Sequence, residues 1–415
     1  MKSLEISLEK QKNNYFDWTL FIASAALTLI GILSIYSATR GSGNDTYIIK
    51  QLISVGLGFA VMTTIVFLPK NIIQYVWIPI YSVSILLLVL VLIIGEEIYG
   101  TQGWIRLGGF SLQPAEFAKF GVITALAGYL SSKGKYINNI RDAGTSILLT
   151  ILPFLLIYKQ PDHGSASVIL AIMIGIFFWA GFNSFVIYFI IMIPVLILLA
   201  LKGTWFFVVG VSLAAVFSFF FRQKMVFTIA VVIIFVSIGY VAPMIYDSLL
   251  SHQKARIETF INPGADPRGS GYNVIQSMMA VGSGGWTGKG FLQGSQTQLR
   301  YIPMQWTDFI YSVPTEEFGF LGGVAVIVLF AVLINRAVRI ASETDNKFQS
   351  TLCFGIAVVF IYHVIINIGM VMGLTPVMGL PLPFLSYGGT AMILNFLFVG
   401  ILLNTHRHYK LKRLV

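Results

Sequence analysis

Charged residues are scarce in this sequence. Only 11% of its 415 residues are Asp, Glu, Lys or Arg, whereas soluble domains carry about a quarter. Hydrophobic residues make up 56%, and this composition argues against a water-soluble enzyme. The net charge of +10 could indicate a nucleic-acid partner in a soluble protein. In a membrane protein the same excess is typical of cytoplasmic loops, and no nucleic-acid partner is predicted.

Motifs for metal binding and for nucleophilic catalysis are also missing. Cys353 is the single cysteine, so an internal disulfide is excluded. The five histidines do not show the HExxH spacing of a zinc site. The residues show no Ser, His and Asp order typical of a hydrolase, and metal ligands stay unknown at this point.

Long apolar runs are what the sequence has instead. A helix needs about 20 mostly apolar residues to cross a bilayer, because lipid offers no hydrogen-bond partner to the backbone. The sequence therefore predicts an all-α polytopic membrane protein with about twelve transmembrane helices. The predicted spans are Trp18–Ala38, Ile48–Leu68, Tyr75–Gly95, Pro114–Ser131, Thr145–Tyr158, Ser165–Gly181, closely spaced runs ending near Phe182, Leu201, Phe221 and Tyr246, and then Val313–Val338, Thr351–Met372 and Leu385–Thr405.

The distribution of basic residues predicts the orientation. Lys and Arg concentrate near both ends of the chain and in alternate loops, whereas the remaining short loops hold few of them. Because cytoplasmic loops carry the excess of basic residues, both termini are predicted to be cytoplasmic. The chain is predicted to be one integral membrane domain, 1–415, with a large extracytoplasmic loop at 247–312. Apolar side chains such as Trp286 and Trp306 favour an ordered loop with short helices.

The predicted fourth span begins with an ionisable pair. Pro114 suits the first turn of a helix, and Glu116 there suits the positive end of the helix dipole. Lys119 lies three residues further on and shares a helix face with Glu116. Two interpretations stay open: a structural ion pair, or a polar patch in which Lys119 meets an anion and Glu116 helps to hold a metal.

Asp308 is the candidate catalytic residue of the loop. Phe309 and Ile310 follow it and could partly desolvate its carboxyl group, which would raise the pKa toward that of a useful general base. Glu316 and Glu317, close by, are expected to be solvated helix caps.

Two further stretches stand out. The glycines at 282–290 resemble a nucleotide loop only superficially, because Gly290 follows Lys289 where Ser or Thr is needed, and they are expected to permit tight turns or close backbone approach. Residues 373–389 are apolar but rich in Pro and Gly, so we expect a re-entrant turn packed under the loop. Five basic residues of the loop together favour an anionic substrate: Lys254, Arg256, Arg268, Lys289 and Arg300.

Taken together, several stretches resemble the SEDS family (shape, elongation, division and sporulation proteins), most closely its RodA-like branch, with the FtsW-like branch as sister. They lie in family order between about residues 100 and 390: Gly103–Gly108, Gln113–Glu116, Gln160–Ser165, His252–Ile257, Gly271–Asn273, Gln276–Ser277, Gly282–Gly290, Thr307–Ile310, Glu316–Gly319 and Pro381–Gly389.

The resemblance implies a peptidoglycan glycosyltransferase. Such an enzyme polymerises lipid II into glycan strands on the outer face of the bacterial cytoplasmic membrane. The family's essential aspartate corresponds to Asp308, the implied general base for the acceptor sugar hydroxyl. Its polar helix pair corresponds to Glu116 and Lys119, and its loop arginine to Arg256. The matching stretches also imply substrate contacts for Trp104, Arg106, Gln113, Gln276 and Lys289.

The resemblance further implies partners and a cofactor. These are lipid II and the nascent glycan strand, membrane lipid, a class B penicillin-binding protein that cross-links the strand, and the cell-elongation complex. A divalent cation, Mg or Mn, is implied at the diphosphate. The compact ends of the chain favour elongation and rod shape over division.

Some residues depart from the family pattern. Members often have His where Trp306 stands, Asp where Asn262 stands and Leu where His163 stands, so a histidine before the aspartate is not required here. The apolar length between Phe182 and Tyr246 predicts one helix pair beyond the family's core of about ten.

Two alternatives to the enzyme remain. A flippase or transporter of lipid-linked precursors would use a polar cavity without a base. A membrane scaffold of the cell-wall synthesis complex would need neither.

Overall fold

The computed structural model describes residues 15–40, 45–69, 71–98, 100–108, 110–132, 140–249, 251–267, 269 and 271–412. The helices are α1 Trp18–Arg40, α2 Thr46–Phe67, α3 Ile72–Tyr75, α4 Trp77–Ile94, α5 Pro114–Ser132, α6 Ile140–Tyr158, α7 His163–Trp179, α8 Ser184–Lys202, α9 Thr204–Phe219, α10 Met225–Ser248, α11 Ser251–Ile261, α12 Tyr272–Ser283, α13 Ser295–Gln298, α14 Ser312–Glu317, α15 Gly319–Glu343, α16 Lys347–Val371 and α17 Gly389–Lys412.

The predicted helical membrane architecture is confirmed. Among the described residues, eight helices are long and apolar enough to cross a membrane, and three further apolar helices are shorter. The predicted number of about twelve spans stays a prediction. The long helices are α1, α2, α4, α8, α10, α15, α16 and α17, and the shorter ones are α6, α7 and α9.

A small antiparallel sheet interrupts the helices, and the sequence interpretation missed it. Its strands are β1 Glu96–Ile98, β2 Thr101–Leu107 and β3 Phe110–Leu112, in the order β1-β2-β3. In the second ladder Ile105 pairs with Leu112 and Arg106 with Ser111. Since β3 ends two residues before Pro114, the sheet leads directly into the start of α5.

The chain divides into two compact units, residues 1–176 with 276–415, and residues 177–275. In the first unit α2 packs against α17, α5 against α4 and α16, and α15 against α1 and α16. Helices α5 and α16 are buried over most of their lengths, so polar residues in those buried stretches lie in the protein interior. The prediction of a single domain over 1–415 stays a prediction.

The second unit contains the region in which an extra helix pair was predicted. Helices α8, α9 and α10 pack on one another around a cluster of buried side chains. Aromatic contacts reinforce this cluster, such as Phe189 stacked on Phe235 with ring centroids 5.8 Å apart. Three apolar helices in mutual contact bury side chains that would otherwise face lipid or water.

One predicted span has a different start. The run predicted as a single helix over Val313–Val338 is two helices, α14 and α15, separated at Phe318. Gly319 has a φ of +66°, in the left-handed region that favours glycine. The chain therefore turns between the two helices, and the long span begins at Gly319.

Candidate active site

The ion pair at the start of α5 is formed and buried. Pro114 opens the helix, and Glu116 lies in its first turn. The Lys119 Nζ lies 2.6 Å from Glu116 Oε1, and the two residues are 1% and 5% exposed. Water does not screen a pair at this depth, so each charge depends on the other and on further hydrogen bonds.

His363 of α16 supplies one of those further bonds. Its Nε2 lies 3.1 Å from Lys119 Nζ, and its Nδ1 lies 2.8 Å from the Pro381 carbonyl oxygen. A carbonyl can only accept and an ammonium can only donate. The imidazole therefore donates from Nδ1 to Pro381 and accepts at Nε2 from Lys119.

Asn367 lies one helical turn beyond His363 on the same face of α16. Its Nδ2 donates to the carbonyl oxygens of Leu380 and Asp308, each at 2.7 Å. Successive carbonyls of the Pro-rich segment are thus held by successive turns of one helix. A continuous set of contacts runs from the Lys119 ammonium to the backbone of Asp308.

Asp308 lies in a turn between α13 and α14. Its side chain is half-buried, and its Oδ2 would lie 3.4 Å from a Cβ added at Gly379. Burial, and after it the negative charge of Asp162, raise the pKa of the Asp308 carboxyl from 3.8 to about 6. Such a group ionises near neutral pH while keeping more proton affinity than an ordinary aspartate, as a general base requires.

Asp162 is the second carboxylate of the site. Its Oδ1 accepts from the backbone N–H of Ser165 at 2.9 Å and caps the start of α7. Its Oδ2 accepts from Gln113 Nε2 at 3.2 Å. The predicted residue Gln113 is therefore tied to a carboxylate that acts electrostatically on Asp308.

Residues 373–388 form the irregular segment predicted at the carboxyl end of α16. The backbone N–H of Tyr387 donates to the Trp306 carbonyl oxygen at 2.8 Å, which joins the segment to the loop that carries Asp308. Buried Gln51 of α2 accepts from the Gly388 N–H at 3.2 Å and donates to the Ser386 carbonyl at 3.3 Å. As expected, the segment packs against the loop and satisfies its backbone groups within the protein.

The expectation that Glu316 is a solvated cap is wrong. The residue is fully buried, and its carboxylate accepts from Lys289 Nζ at 2.9 Å and from the N–H groups of Gln296 and Thr297 at 2.9 Å. Burial opposes ionisation, but the hydrogen bonds from Lys289 and Thr297 and from the backbone together lower the pKa of Glu316. This carboxylate therefore organises the loop from within.

The same expectation is wrong for Glu317, which is 1% exposed. Its Oε1 accepts from the Ser37 hydroxyl of α1 and from the Leu292 N–H. Burial raises the pKa of Glu317, and the two hydrogen bonds act in the opposite direction. The physical reason for both corrections is the same. Each carboxylate accepts hydrogen bonds from backbone N–H groups and side chains of the protein, and these bonds take the place of the water that a solvated cap would bind.

The remaining predicted contacts are dispersed. Lys289 is engaged by Glu316 and by Ser295 Oγ at 2.7 Å. Arg106 lies on β2, exposed and paired with Glu96 at 2.8 Å. Half-buried Trp104 also lies on β2, and half-buried Gln276 lies on α12. Arg256 lies in α11 of the second unit, and its side chain falls outside the described part of the structure. Their substrate contacts stay predictions.

Three site residues were missed from the sequence: Asp162, His363 and Asn367. Asp162 lies in a stretch that carries the family resemblance, yet only its neighbour His163 was considered. His363 lies within a predicted span, and an ionisable residue inside an apolar helix is itself a signal of function. Asn367 gives a weaker signal, because amides occur in membrane helices as ordinary interhelical glue.

The fold and the site define a class of protein. It is a polytopic membrane protein whose interior holds an ammonium–carboxylate pair, joined through an imidazole and an amide to a partly desolvated aspartate. This arrangement suits acid–base chemistry on a substrate that carries negative charge.

The comparisons with known proteins identify the family. The model of the FtsW, RodA and SpoVE family, described as "Cell cycle protein", matches residues 17–224 and 202–411, and the chain belongs to this family. It is 33% identical to the peptidoglycan glycosyltransferase RodA of Treponema pallidum (strain Nichols), over 94% of this chain and 97% of that one. It is 35% identical to the probable peptidoglycan glycosyltransferase FtsW of Trichlorobacter lovleyi, over 98% and 97%.

A solved structure agrees with this assignment. A chain described under "Structural coordination of polymerization and crosslinking by a peptidoglycan synthase complex" is similar with a TM-score of 0.72 and 27% identity, over 95% of this chain and 98% of that one. The predicted family is therefore confirmed, and so is the predicted enzyme class, a glycosyltransferase.

Proposed function

We propose that this chain polymerises lipid II into glycan strands on the outer face of the bacterial cytoplasmic membrane. It would act in cell elongation and rod shape. Its relatives named peptidoglycan glycosyltransferases match along nearly the whole chain, which supports this substrate. A lipid-linked sugar diphosphate is anionic at the membrane boundary, where the loop contributes basic residues.

Asp308 is the general base of the proposed reaction. Its carboxylate takes the proton from the acceptor sugar hydroxyl as that oxygen attacks the anomeric carbon of the donor. The bond from that carbon to the diphosphate oxygen breaks, and undecaprenyl diphosphate leaves with the electron pair. The observation that carries the proposal is the pKa of the Asp308 carboxyl, which burial raises to about 6. The backbone of the same residue is held by the hydrogen bond from Asn367 to its carbonyl oxygen.

The other half of the reaction needs positive charge for the departing diphosphate. A diphosphate is already a good leaving group, so an acid partner of the glycosidase kind is unnecessary. Lys119 is the proposed cation of the first unit, and Arg256 of the loop is a second candidate. Burial of Lys119 strengthens its electrostatic effect on a charge that develops nearby.

A divalent cation is proposed to arrive with the substrate. Among the described residues there is no group of three His, Cys, Asp or Glu side chains that could hold a metal ion, so a resident metal centre does not fit them. Mg²⁺ usually binds through one or two carboxylates together with substrate phosphates and water. No step of the proposed reaction depends on this ion.

Partners and topology complete the proposal. The similar chain in a peptidoglycan synthase complex supports a class B penicillin-binding protein as the partner that cross-links the strand. Other proposed partners are the nascent strand, membrane lipid and the cell-elongation complex. Both termini are proposed to be cytoplasmic, which leaves the loop with Asp308 outside.

The test is a polymerisation assay with purified protein and lipid II. Wild-type protein should form glycan strands, and Asp308→Asn should bind lipid II while the rate falls about 10²–10⁴-fold. Asp247→Asn, which alters an exposed carboxylate in the last turn of α10, is the matched control and should retain the rate. A flippase would move lipid II between leaflets without making glycan, and a scaffold would do neither. Full activity of well-folded Asp308→Asn would remove Asp308 from the role of base.

A further inference from the structure

His363 is a buried titratable residue that the proposed reaction does not use. It lies in α16, 3% exposed, between the ion pair of α5 and the Pro-rich segment. A small cavity lined in part by Glu116, His363, Pro381, Ser386 and Asn395 adjoins it. A purely structural link between α16 and the segment would need only the Nδ1 bond of His363 to Pro381, which lies beside the bond of Asn367 to Leu380, and would have no use for a contact at Nε2.

The second bond of His363 is directed at a charge. Lys119 Nζ has three N–H donors. Among the described residues, Glu116 takes one at 2.6 Å and His363 takes another at 3.1 Å. Two fixed acceptors restrict the rotation of an ammonium group, which sits on a long and flexible stem. The direction of the third N–H is then set by the protein rather than by the ligand.

We propose that His363 is a positioning residue for Lys119, and that its Nε2 aims the remaining N–H of the ammonium at the diphosphate of the substrate. This inference rests on the proposed function. The Nδ1 bond to Pro381 fixes the ring, so that Nε2 is always the bare acceptor. A carboxylate in this position would attract the ammonium more strongly and reduce its charge toward the substrate, whereas a neutral acceptor orients it at little electrostatic cost.

Two amide variants separate the two bonds of the imidazole. Glutamine places its terminal amide near the position of Nε2, and its oxygen can accept from Lys119. Asparagine places its amide near the position of Nδ1, where its nitrogen can donate to the Pro381 carbonyl. His363→Gln therefore keeps the contact with Lys119, and His363→Asn keeps the contact with the segment. His363→Leu removes both and serves as the reference for loss.

Polymerisation by purified variants, analysed as separate kcat and KM values, distinguishes the roles. We expect His363→Gln to retain most of the wild-type kcat. His363→Asn should lose about tenfold or more in kcat with KM nearly unchanged, because a correctly aimed ammonium stabilises the charge that develops on the diphosphate in the transition state. Melting temperature, measured in parallel, detects loss of folding. If His363→Asn is as active as His363→Gln, or more active, His363 acts through the segment and the inference is wrong.

An NMR measurement tests the inference without an activity assay. In protein with ¹⁵N-labelled histidine, the resonances absent from His363→Gln belong to His363. We expect a protonated Nδ1 and a bare Nε2 whose resonance shifts in Lys119→Met. If wild-type protein makes no glycan, the proposed function fails and this measurement alone applies. A protonated Nε2, or a resonance indifferent to Lys119→Met, overturns the inference even in an active enzyme.

Discussion

At the scale of single residues, the properties of the site depend on which protein groups replace water as hydrogen-bond partners of each buried polar side chain. Glu316 and Glu317 receive backbone and hydroxyl donors in the interior. Lys119 receives a carboxylate and an imidazole. Asp308 receives the least compensation: its backbone is held by Asn367, while burial and the charge of Asp162 oppose ionisation of its carboxyl group. The residue whose lost hydration is least replaced by protein hydrogen bonds is expected to be the reactive one, and this residue is Asp308.

The difference in stability between Asp308→Asn and wild type should therefore depend on pH. The folded-state pKa of about 6 lies above the unfolded value of 3.8. The contribution of this carboxyl to the free energy of unfolding falls as pH rises from about 4 to about 6 and is constant above. Asparagine mimics the protonated form, so the variant should be more stable than wild type at pH 8 by about 1–3 kcal/mol, and equal to it near pH 4.

Melting temperatures of the two proteins in detergent at both pH values would measure this effect. Asp247→Asn, which alters an exposed carboxylate, should follow wild type at both values. Equal stability of Asp308→Asn and wild type at pH 8 would mean that the Asp308 carboxyl is solvated.

The site residues differ in how far the sequence could predict them. Asp308 was predicted from its apolar neighbours, and the Glu116–Lys119 pair from its spacing of three on a helix. His363 and Asn367 could not be placed beside them, because nothing local in α16 specifies that its inner face meets the carbonyls of Leu380 and Pro381. Such contacts depend on the packing of distant segments rather than on periodicity.

At the scale of elements, the glycine-rich run at 282–290 supports the loop by close approach of two backbones. A Cβ added at Gly284 would lie 2.1 Å from the Thr315 carbonyl oxygen, and one at Gly288 would lie 2.0 Å from that of Glu317. The Gly290 N–H donates to the same Glu317 carbonyl at 2.9 Å. The expected close approach is present, and α14 is what the run approaches.

Alanine substitutions in this run should therefore differ sharply. Gly288→Ala combines a φ of +83° with the contact at 2.0 Å, and we expect a loss of more than about 3 kcal/mol. Gly285→Ala has a φ of +57° in open space and should lose only about 1–2 kcal/mol. Gly282→Ala lies in α12 with open space around it and should gain about 0.5–1 kcal/mol.

Thermal unfolding of the three variants ranks them directly. Equal effects at positions 282 and 288 would show that the backbone of the run does not touch α14. Because all three changes add the same methyl group, differences in hydrophobicity cannot explain a ranking.

The missed sheet shows which elements local sequence signals can predict and which they cannot. The stretch Trp104-Ile105-Arg106-Leu107 is followed by two glycines, which is a hairpin signal that could have been recognised. The stretch lies between two predicted spans, Tyr75–Gly95 and Pro114–Ser131, whose longer apolar runs are the stronger signal. The division of one predicted span at Phe318 could not be found in this way, since the apolar run passes through the break without interruption.

At the scale of the whole molecule, hydropathy predicted the helical membrane class, because a span must be both long and apolar. The extra helix pair stays a prediction. The two matched segments of the family overlap at residues 202–224, within the region where the additional apolar length was expected. Helices α8 to α10 of the second unit form a shared core there. Composition predicted that such helices exist but could not predict their mutual packing.

The proposed topology can be tested with single cysteines. Cys353 is fully buried and should resist labelling, which makes wild-type protein a suitable background. Gln293→Cys lies in the loop, and Ser342→Cys lies at the other end of α15; both positions are exposed. An impermeant maleimide added to intact cells should label only Gln293→Cys. Labelling of Ser342→Cys alone would reverse the proposed orientation.

The most direct measurement is the pH dependence of the single-turnover rate of lipid II polymerisation by purified wild-type protein. A base with a pKa of about 6 predicts a rate that rises tenfold per pH unit below that value and levels off above it. Asp308→Asn should show a rate that is lower by at least about 10² and has no such limb. A wild-type rate independent of pH between 5 and 7, with the Asp308→Asn rate unchanged, would contradict the assignment of Asp308 as the base.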